Sequence, residues 1–328
     1  MRKILLINLI IFFSLVVILE ISARLYLKIK TNNQNMGLPM KNMNLKYQPF
    51  VMYGPNWQKI FATYNAELNK DDFNILLIGG STAADFPSEI LETALSSKLN
   101  LNVKVFNAAY GGYISTQELI ILTKYGKKLK PDLVININGA NDIIHSIRAN
   151  AQPGTFYLNS TYKILLNKPY LGPFVKILQN SQLLNGLTRF KETKVKYKTE
   201  KYIQYLEIYL DNINSMAVFC DGLGIPYINI LQPHLLYKDF KSKKEKNFTL
   251  LNYRNNIVRT LYEKVKEKAN NHNEINKFFF DATFIFENNK ELIFSDDVHF
   301  MRAVGGHKAS NGYTILADFI SKINILKK

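Results

Sequence analysis

The 328-residue chain is 47% hydrophobic, enough for the core of one main domain, and its 42 Lys and Arg against 26 Asp and Glu leave a formal charge of +16. The lysines are scattered among Asn and Ile, with no regular interleaving of aromatics, so they read as a solvated face and nucleic acid is not an expected partner. The single Cys220 excludes an intramolecular disulfide and a cysteine-rich zinc site. It lies in an apolar helical stretch and reads as a small buried hydrophobe.

After Arg2 and Lys3 comes an almost wholly apolar run, Ile4 to Leu19, that continues less purely to Arg24. As a helix it covers about 24 Å, short of a hydrocarbon core of roughly 30 Å unless Glu20 and Arg24 lie at the interface. Ile21-Ser22-Ala23 is a poor match to a small-x-small cleavage site. An uncleaved membrane anchor over residues 1–30 is therefore preferred to a signal peptide. Basic residues flank both ends, so charge does not set the orientation. Residues 31–70 read as a juxtamembrane linker whose aromatic part, Tyr47-Gln48-Pro49-Phe50-Val51-Met52-Tyr53, packs on the domain that follows.

From residue 71 to 328, short apolar runs alternate with helical patterns. Strands are expected at Asn74–Ile78, Val103–Phe106, Leu133–Ile137, Ile225–Leu231 and Phe278–Asp281. Helices are expected at Pro87–Leu99, Thr116–Leu129 with Pro131 as its stop, Glu200–Cys220 ended by Gly222 and Gly224, and Leu250–Ala269. The rhythm breaks over about 150–200, which reads as an insertion or lid. Strands alternating with helices imply a three-layer α/β/α domain on a parallel five-stranded sheet.

Ligands of such a sheet bind outside the carboxyl ends of its strands, and Ser81, Gly112 and Asn141 all fall just after such ends. Gly79-Gly80-Ser81-Thr82 allows a tight turn into a helix start, where backbone N–H groups favour developing negative charge. Taken alone it would be an ordinary N-cap. It is no phosphate-binding loop, having no Lys after the glycines, and no Gly-x-Ser-x-Gly elbow, because Ala83 holds the last position. Asp296 and His299 add a base with an acceptor three residues away to fix its tautomer; Asp297 is the other candidate for that role. The amide of Asn141 and the N–H groups of Gly112 and Ser81 would supply three oxyanion donors. His234, just after the fourth strand, is placed to face the crevice.

Read together, these segments resemble the SGNH hydrolases, the GDSL-type esterase superfamily. Ile75-Leu76-Leu77-Ile78-Gly79-Gly80-Ser81-Thr82 is similar to the first block, with Gly80 in place of the usual Asp. Asn107 to Tyr113 is similar to the second, Gly139-Ala140-Asn141-Asp142 to the third, and Asp296-x-x-His299 to the last. The resemblance implies a flavodoxin-like sheet and ester hydrolysis or acyl transfer without metal or cofactor. In that scheme Ser81 attacks, His299 is the base, Asp296 orients it, and Ser81, Gly112 and Asn141 form the oxyanion hole. The apolar N-terminus, Tyr47-Gln48-Pro49-Phe50 and Gln232-Pro233-His234 look like a membrane-tethered bacterial branch associated with surface polysaccharides. That implies an acylated glycan, acetyl being the expected acyl group, as substrate and an extracytoplasmic domain on the periplasmic face of the inner membrane. The alternative is a glycan-binding or assembly protein that keeps the fold without catalysis. A longer than usual segment, Met301 to Asn311, separates His299 from the last helix.

Overall fold

The computed structural model describes residues 2–30, 47–147, 154, 156, 200–246, 248, 252–301 and 311–324. Residues 31–46 of the expected 31–70 linker, most of the expected insertion at about 150–200, and residues 302–310 of the segment before the last helix lie outside them. The chain divides into two compact units, Met1–Leu45 with Leu158–Tyr197, and Lys46–Tyr157 with Lys198–Lys328.

The described element of the first unit is helix α1 (Arg2–Lys30). Its stretch Ile7–Leu25 has a mean hydropathy of 2.0 and is long and apolar enough to cross a membrane, a test that a signal sequence also passes. Phe12 and Phe13 are exposed along it. Glu20 and Arg24 pair at 2.8 Å one turn apart, so neither charge stands alone at that end.

The second unit opens with a short hairpin, β1 (Tyr47–Gln48) and β2 (Met52–Tyr53), and helix α2 (Trp57–Glu67). The sheet strands are β3 (Phe73–Gly79), β4 (Val103–Asn107), β5 (Leu133–Asn138), β6 (Tyr227–Leu231) and β7 (Phe279–Asp281). They run in the order β4-β3-β5-β6-β7, and every pairing is parallel. The expected five-stranded α/β fold is therefore present. β5 is buried along its whole length, as a strand covered on both faces must be.

Alternation assigns the two faces. Ile75, Leu77, Ile135, Ile137, Ile228 and Ile230 share a core with Leu91 and Leu95 of α4 (Ser88–Leu99) and Leu316 and Ile320 of the C-terminal helix Gly312–Ser321. On the opposite face, Asn136 and Asn138 bond to Glu118 of α5 (Ser115–Lys124), and Asn138 to Tyr209 of the long helix Glu200–Asp221. Counting in chain order, α6 is Ala140–Ser146, α7 is Glu200–Asp221, α8 is Lys243–Lys246, α9 is Asn252–Asn270 and α10 is Gly312–Ser321.

Most boundaries lie within a residue or two of expectation, and two of the shifts have a visible cause. α5 stops at Lys124, not Leu129, and a 3-10 turn, Gly126–Lys128, follows. A Cβ at Gly126 would sit 2.7 Å from Leu76 Cδ2, so this residue lets the chain press on β3 and tighten before Pro131 is reached. β6 begins at Tyr227, not Ile225: the Ile225 N–H closes α7 onto Cys220 O, and Pro226 has no N–H for a ladder.

Candidate active site

Two glycines shape the exit of β3. Gly79 has φ +144°, and a Cβ there would lie 2.2 Å from the backbone oxygen of Ile137, so no side chain is tolerated. Gly80 is in ordinary extended backbone, but its Cβ would meet Asn141 Nδ2 at 2.5 Å. With no side chain at Gly80, the Asn141 amide lies against the residue before Ser81. Ser81 then opens the one-turn helix α3 (Ser81–Ala84), half-buried. The next residue, Thr82, donates from Oγ1 to Val298 O at 3.3 Å and accepts from Gln232 Nε2 at 3.0 Å, tying this turn to the segment before His299 and to the end of β6.

Ser81 Oγ lies 2.6 Å from His299 Nε2, and His299 Nδ1 lies 2.6 Å from Asp296 Oδ2. With the proton on Nδ1, the imidazole donates to Asp296 and accepts from the Ser81 hydroxyl. The other Asp296 oxygen, Oδ1, accepts the N–H groups of Val298 at 2.9 Å and His299 at 2.7 Å, so the carboxylate shapes the turn as well as the ring. Asp297 makes a different contribution: its carbonyl accepts the Leu235 N–H at 2.9 Å. Burial opposes charge on both Asp296 and His299, but their mutual attraction and hydrogen bonds outweigh it. The net effect holds the Asp296 carboxyl below its ordinary range and the His299 imidazole above its own.

This turn is anchored by a buried ion pair. Glu245 and Lys238 are both fully buried and meet at 2.7 Å. Glu245 also accepts the N–H groups of Ser242 at 2.8 Å, Ile293 at 3.0 Å and Phe294 at 3.1 Å, and Lys238 donates to Glu291 O. Burial works against the Glu245 charge, yet these donors pull its carboxyl below the usual range. Phe294 and Phe300 then pair across the loop, and the Ser295 N–H donates to His299 O at 2.8 Å.

On the other side, Gly112 has φ +76°, whereas Gly111 is not in that region. Asn141, at the start of α6, donates through Nδ2 to Tyr113 O at 2.8 Å, which uses one of its two amide hydrogens. Asp142 accepts from the Ser115 hydroxyl at 2.6 Å and the Ser115 N–H at 3.2 Å, and Asn212 of α7 donates to the same hydroxyl at 2.9 Å. The loop bearing Gly112 and the helix bearing Asn141 are thus fastened together at two points. Beneath them, Glu118 accepts from Asn138 at 2.7 Å and Asn136 at 3.2 Å. Burial pushes the Asp142 carboxyl up to about 6 against its Ser115 bonds, and burial plus the nearby Asp142 raises Glu118 well above the usual carboxylate range.

His234 does not face a crevice. It is buried, its Nδ1 accepts the Leu236 N–H at 3.1 Å, and its ring sits edge-on to Tyr262. Burial, aided by Arg259 and Lys241 and only partly offset by Asp296, lowers it to about 3, so it stays neutral and holds a turn. Cys220 is buried, and burial pushes its thiol up to about 12. Sequence reading gives Asp142 a place in the third block but no role, and does not single out Ser115, Glu118, Glu245 or Lys238. The clearest missed signal was polar Asn136 and Asn138 inside an otherwise apolar strand.

Chemically, the series carboxylate, imidazole and hydroxyl can deliver a deprotonated serine to an electrophilic carbon, with amide donors beside it for an oxyanion. No protein-family model and no curated protein matches the chain. Among solved structures it is similar to an acetylxylan esterase from Geobacillus stearothermophilus, 15% identical, covering 79% of this chain and 97% of that one, with a TM-score of 0.43. A GDSL-like lipase from Bacteroides thetaiotaomicron is 15% identical, covering 81% and 96%, at 0.40. A lipase/acylhydrolase from Enterococcus faecalis is 15% identical, covering 76% and 93%, also at 0.40. At such identities and scores the likeness assigns no residue its role.

Proposed function

We propose that this protein is a serine esterase or O-acyltransferase of the SGNH type that acts on acyl esters, acetyl above all, of a cell-surface polysaccharide. The reading is supported chiefly by the two 2.6 Å contacts that join Ser81, His299 and Asp296 in series. In this scheme Ser81 Oγ attacks the ester carbonyl while His299 Nε2 takes its proton. The oxyanion accepts hydrogen bonds from the N–H groups of Ser81 and Gly112 and from the remaining amide hydrogen of Asn141. Collapse breaks the bond to the glycan oxygen, which leaves with the proton held by His299, and an acyl-Ser81 intermediate remains. Water or a sugar hydroxyl, deprotonated by His299, then takes the acyl group and frees Ser81.

Residues 1–30 act as an uncleaved anchor in this reading, 31–70 as the linker, and 71–328 as the catalytic domain, held at the outer face of the membrane. A periplasm-dependent reporter fused after Lys328 is expected to be active; activity from a cytosolic reporter alone would overturn that placement. Fluorophosphonate labelling of the purified protein is expected to be lost in Ser81→Ala. Equal labelling of the variant would remove the nucleophile assignment, and a glycan that binds without losing acetate would favour the non-catalytic alternative. Acetylated glycan supplied with and without an acceptor sugar separates transfer from hydrolysis.

A further inference from the structure

The segment ahead of the sheet is fastened to the loop that carries Gly112. In its hairpin, Tyr47 pairs with Tyr53 and Gln48 with Met52. Phe50, in the turn, has φ +75°, and Met52, the first residue of β2, has φ +69°, a region that side-chain-bearing residues rarely enter and that persists only where the surroundings enforce it. The surroundings here are Val51 and Tyr53, both fully buried, and the Lys124 ammonium 3.6 Å from the Phe50 ring centre.

The polar contacts of this arm converge on that loop. Tyr53 Oη donates to Gly112 O at 2.9 Å. Tyr113 Oη donates back to Tyr53 O at 2.7 Å and accepts from Trp57 Nε1 at 2.9 Å. Gln117 Nε2, just beyond the loop, donates to Val51 O at 2.8 Å. The Tyr53 and Tyr113 rings meet edge to face at 5.6 Å. A Gly-Gly pair is the least self-rigid piece of backbone a loop can contain, yet an oxyanion donor is useful only when its position is fixed before reaction. Rigidity that Gly111-Gly112 lacks is supplied from outside.

We propose that Tyr53 is a positioning residue for catalysis: its hydroxyl holds the Gly112 carbonyl, and through it the backbone that presents the Gly112 N–H to the transition state. This rests on the reading of Ser81 as an acyl-transfer nucleophile. It gives the hairpin, residues 47–53, a part in catalysis.

The test uses full-length protein in detergent and a small acetyl ester. Tyr53→Phe keeps the ring and removes the hydroxyl; kcat is expected to fall about tenfold with KM within about twofold. Affinity for a boronic acid that forms a tetrahedral adduct on Ser81 is expected to fall by the same factor. Phe61→Leu, in the same arm but away from the loop, is expected to lower the melting temperature and leave kcat unchanged. Wild-type kcat and boronate affinity in Tyr53→Phe would overturn the proposal, as would a matching kcat loss in Phe61→Leu. If Tyr53→Phe does not fold, Tyr113→Phe replaces it, with the same expected direction and the same overturning result. Absence of Ser81-dependent turnover in the wild type would instead bring down the acyl-transfer reading, and this proposal with it.

Discussion

The two sides of the site are held by opposite kinds of chemistry. The turn carrying Asp296 and His299 is anchored by a fully buried ion pair, with Glu245 gripping Lys238 and the N–H groups of Ile293 and Phe294. The loop carrying Gly112 is tied to the segment ahead of the sheet by uncharged hydroxyl, indole and amide groups of Tyr53, Tyr113, Trp57 and Gln117. A buried pair stabilises little against an apolar substitute but is severe to break, because the surviving charge stays buried. A neutral hydrogen bond is weaker and can be removed singly without collapse. Under the proposed mechanism the side carrying His299 should therefore fail as a fold, and the side carrying Gly112 and Asn141 should fail as a catalyst.

The sharpest break of that contrast is Glu245→Ala, which leaves Lys238 uncompensated and should cost about 3–5 kcal/mol of stability. Chemical denaturation measures it, and a loss below about 1 kcal/mol would mean the clamp is solvated and the contrast false. On the other side, Asn141→Ala should lower kcat by about 10² to 10³ with a nearly unchanged melting temperature. A large melting shift with kcat intact would reverse the assignment of sides.

Titration discriminates next. In the proposed mechanism neutral His299 is the active form; its pKa is raised above the ordinary value, so kcat/KM should rise with pH through an apparent pKa above about 6.5. Its stabilising contribution runs the other way, fully present below about 6.5 and lost as pH rises through the folded pKa. Asp296, whose pKa is lowered, stabilises above its ordinary range and loses that contribution as pH falls through its folded value. A profile flat from pH 5 to 9 would contradict the base assignment.

The smallest effect concerns the network under the oxyanion side. Glu118 and Asp142 have raised pKa values, so the folded protein binds more protons and loses stability as pH rises past the ordinary carboxylate range. Glu118→Gln removes one of these charges and should stabilise the protein by about 1–2 kcal/mol at pH 8 relative to pH 5. Equal effects at both pH values would mean that folding does not raise the Glu118 pKa.

The legible parts of the site were those encoded by neighbours in the chain. Apolar runs ending in Gly or Asn marked strand ends, and the spacing of Asp296 and His299 fits within one turn. The supporting residues were hidden because their partners are distant. Tyr53 and Gly112 are 59 positions apart, and the arm has no periodicity to mark it. Asn136 and Asn138 in Ile-Asn-Ile-Asn look like the wet face of a strand, yet helices cover both faces and the asparagines bond to a buried glutamate. Lys238 and Glu245 lie in a lysine-rich stretch that reads as solvated surface, although both are buried. His234 misled for the same reason: its place after β6 suggested the crevice, while its ring holds a buried turn.

The central claim is that Ser81 carries the acyl group. Rapid quenching of the full-length protein during turnover of an acetyl ester, followed by peptide mapping, should find acetate on Ser81, with more accumulating when a slowly deacylating ester is used. Turnover at the wild-type rate by Ser81→Ala, or acetate mapped to another residue, would contradict it.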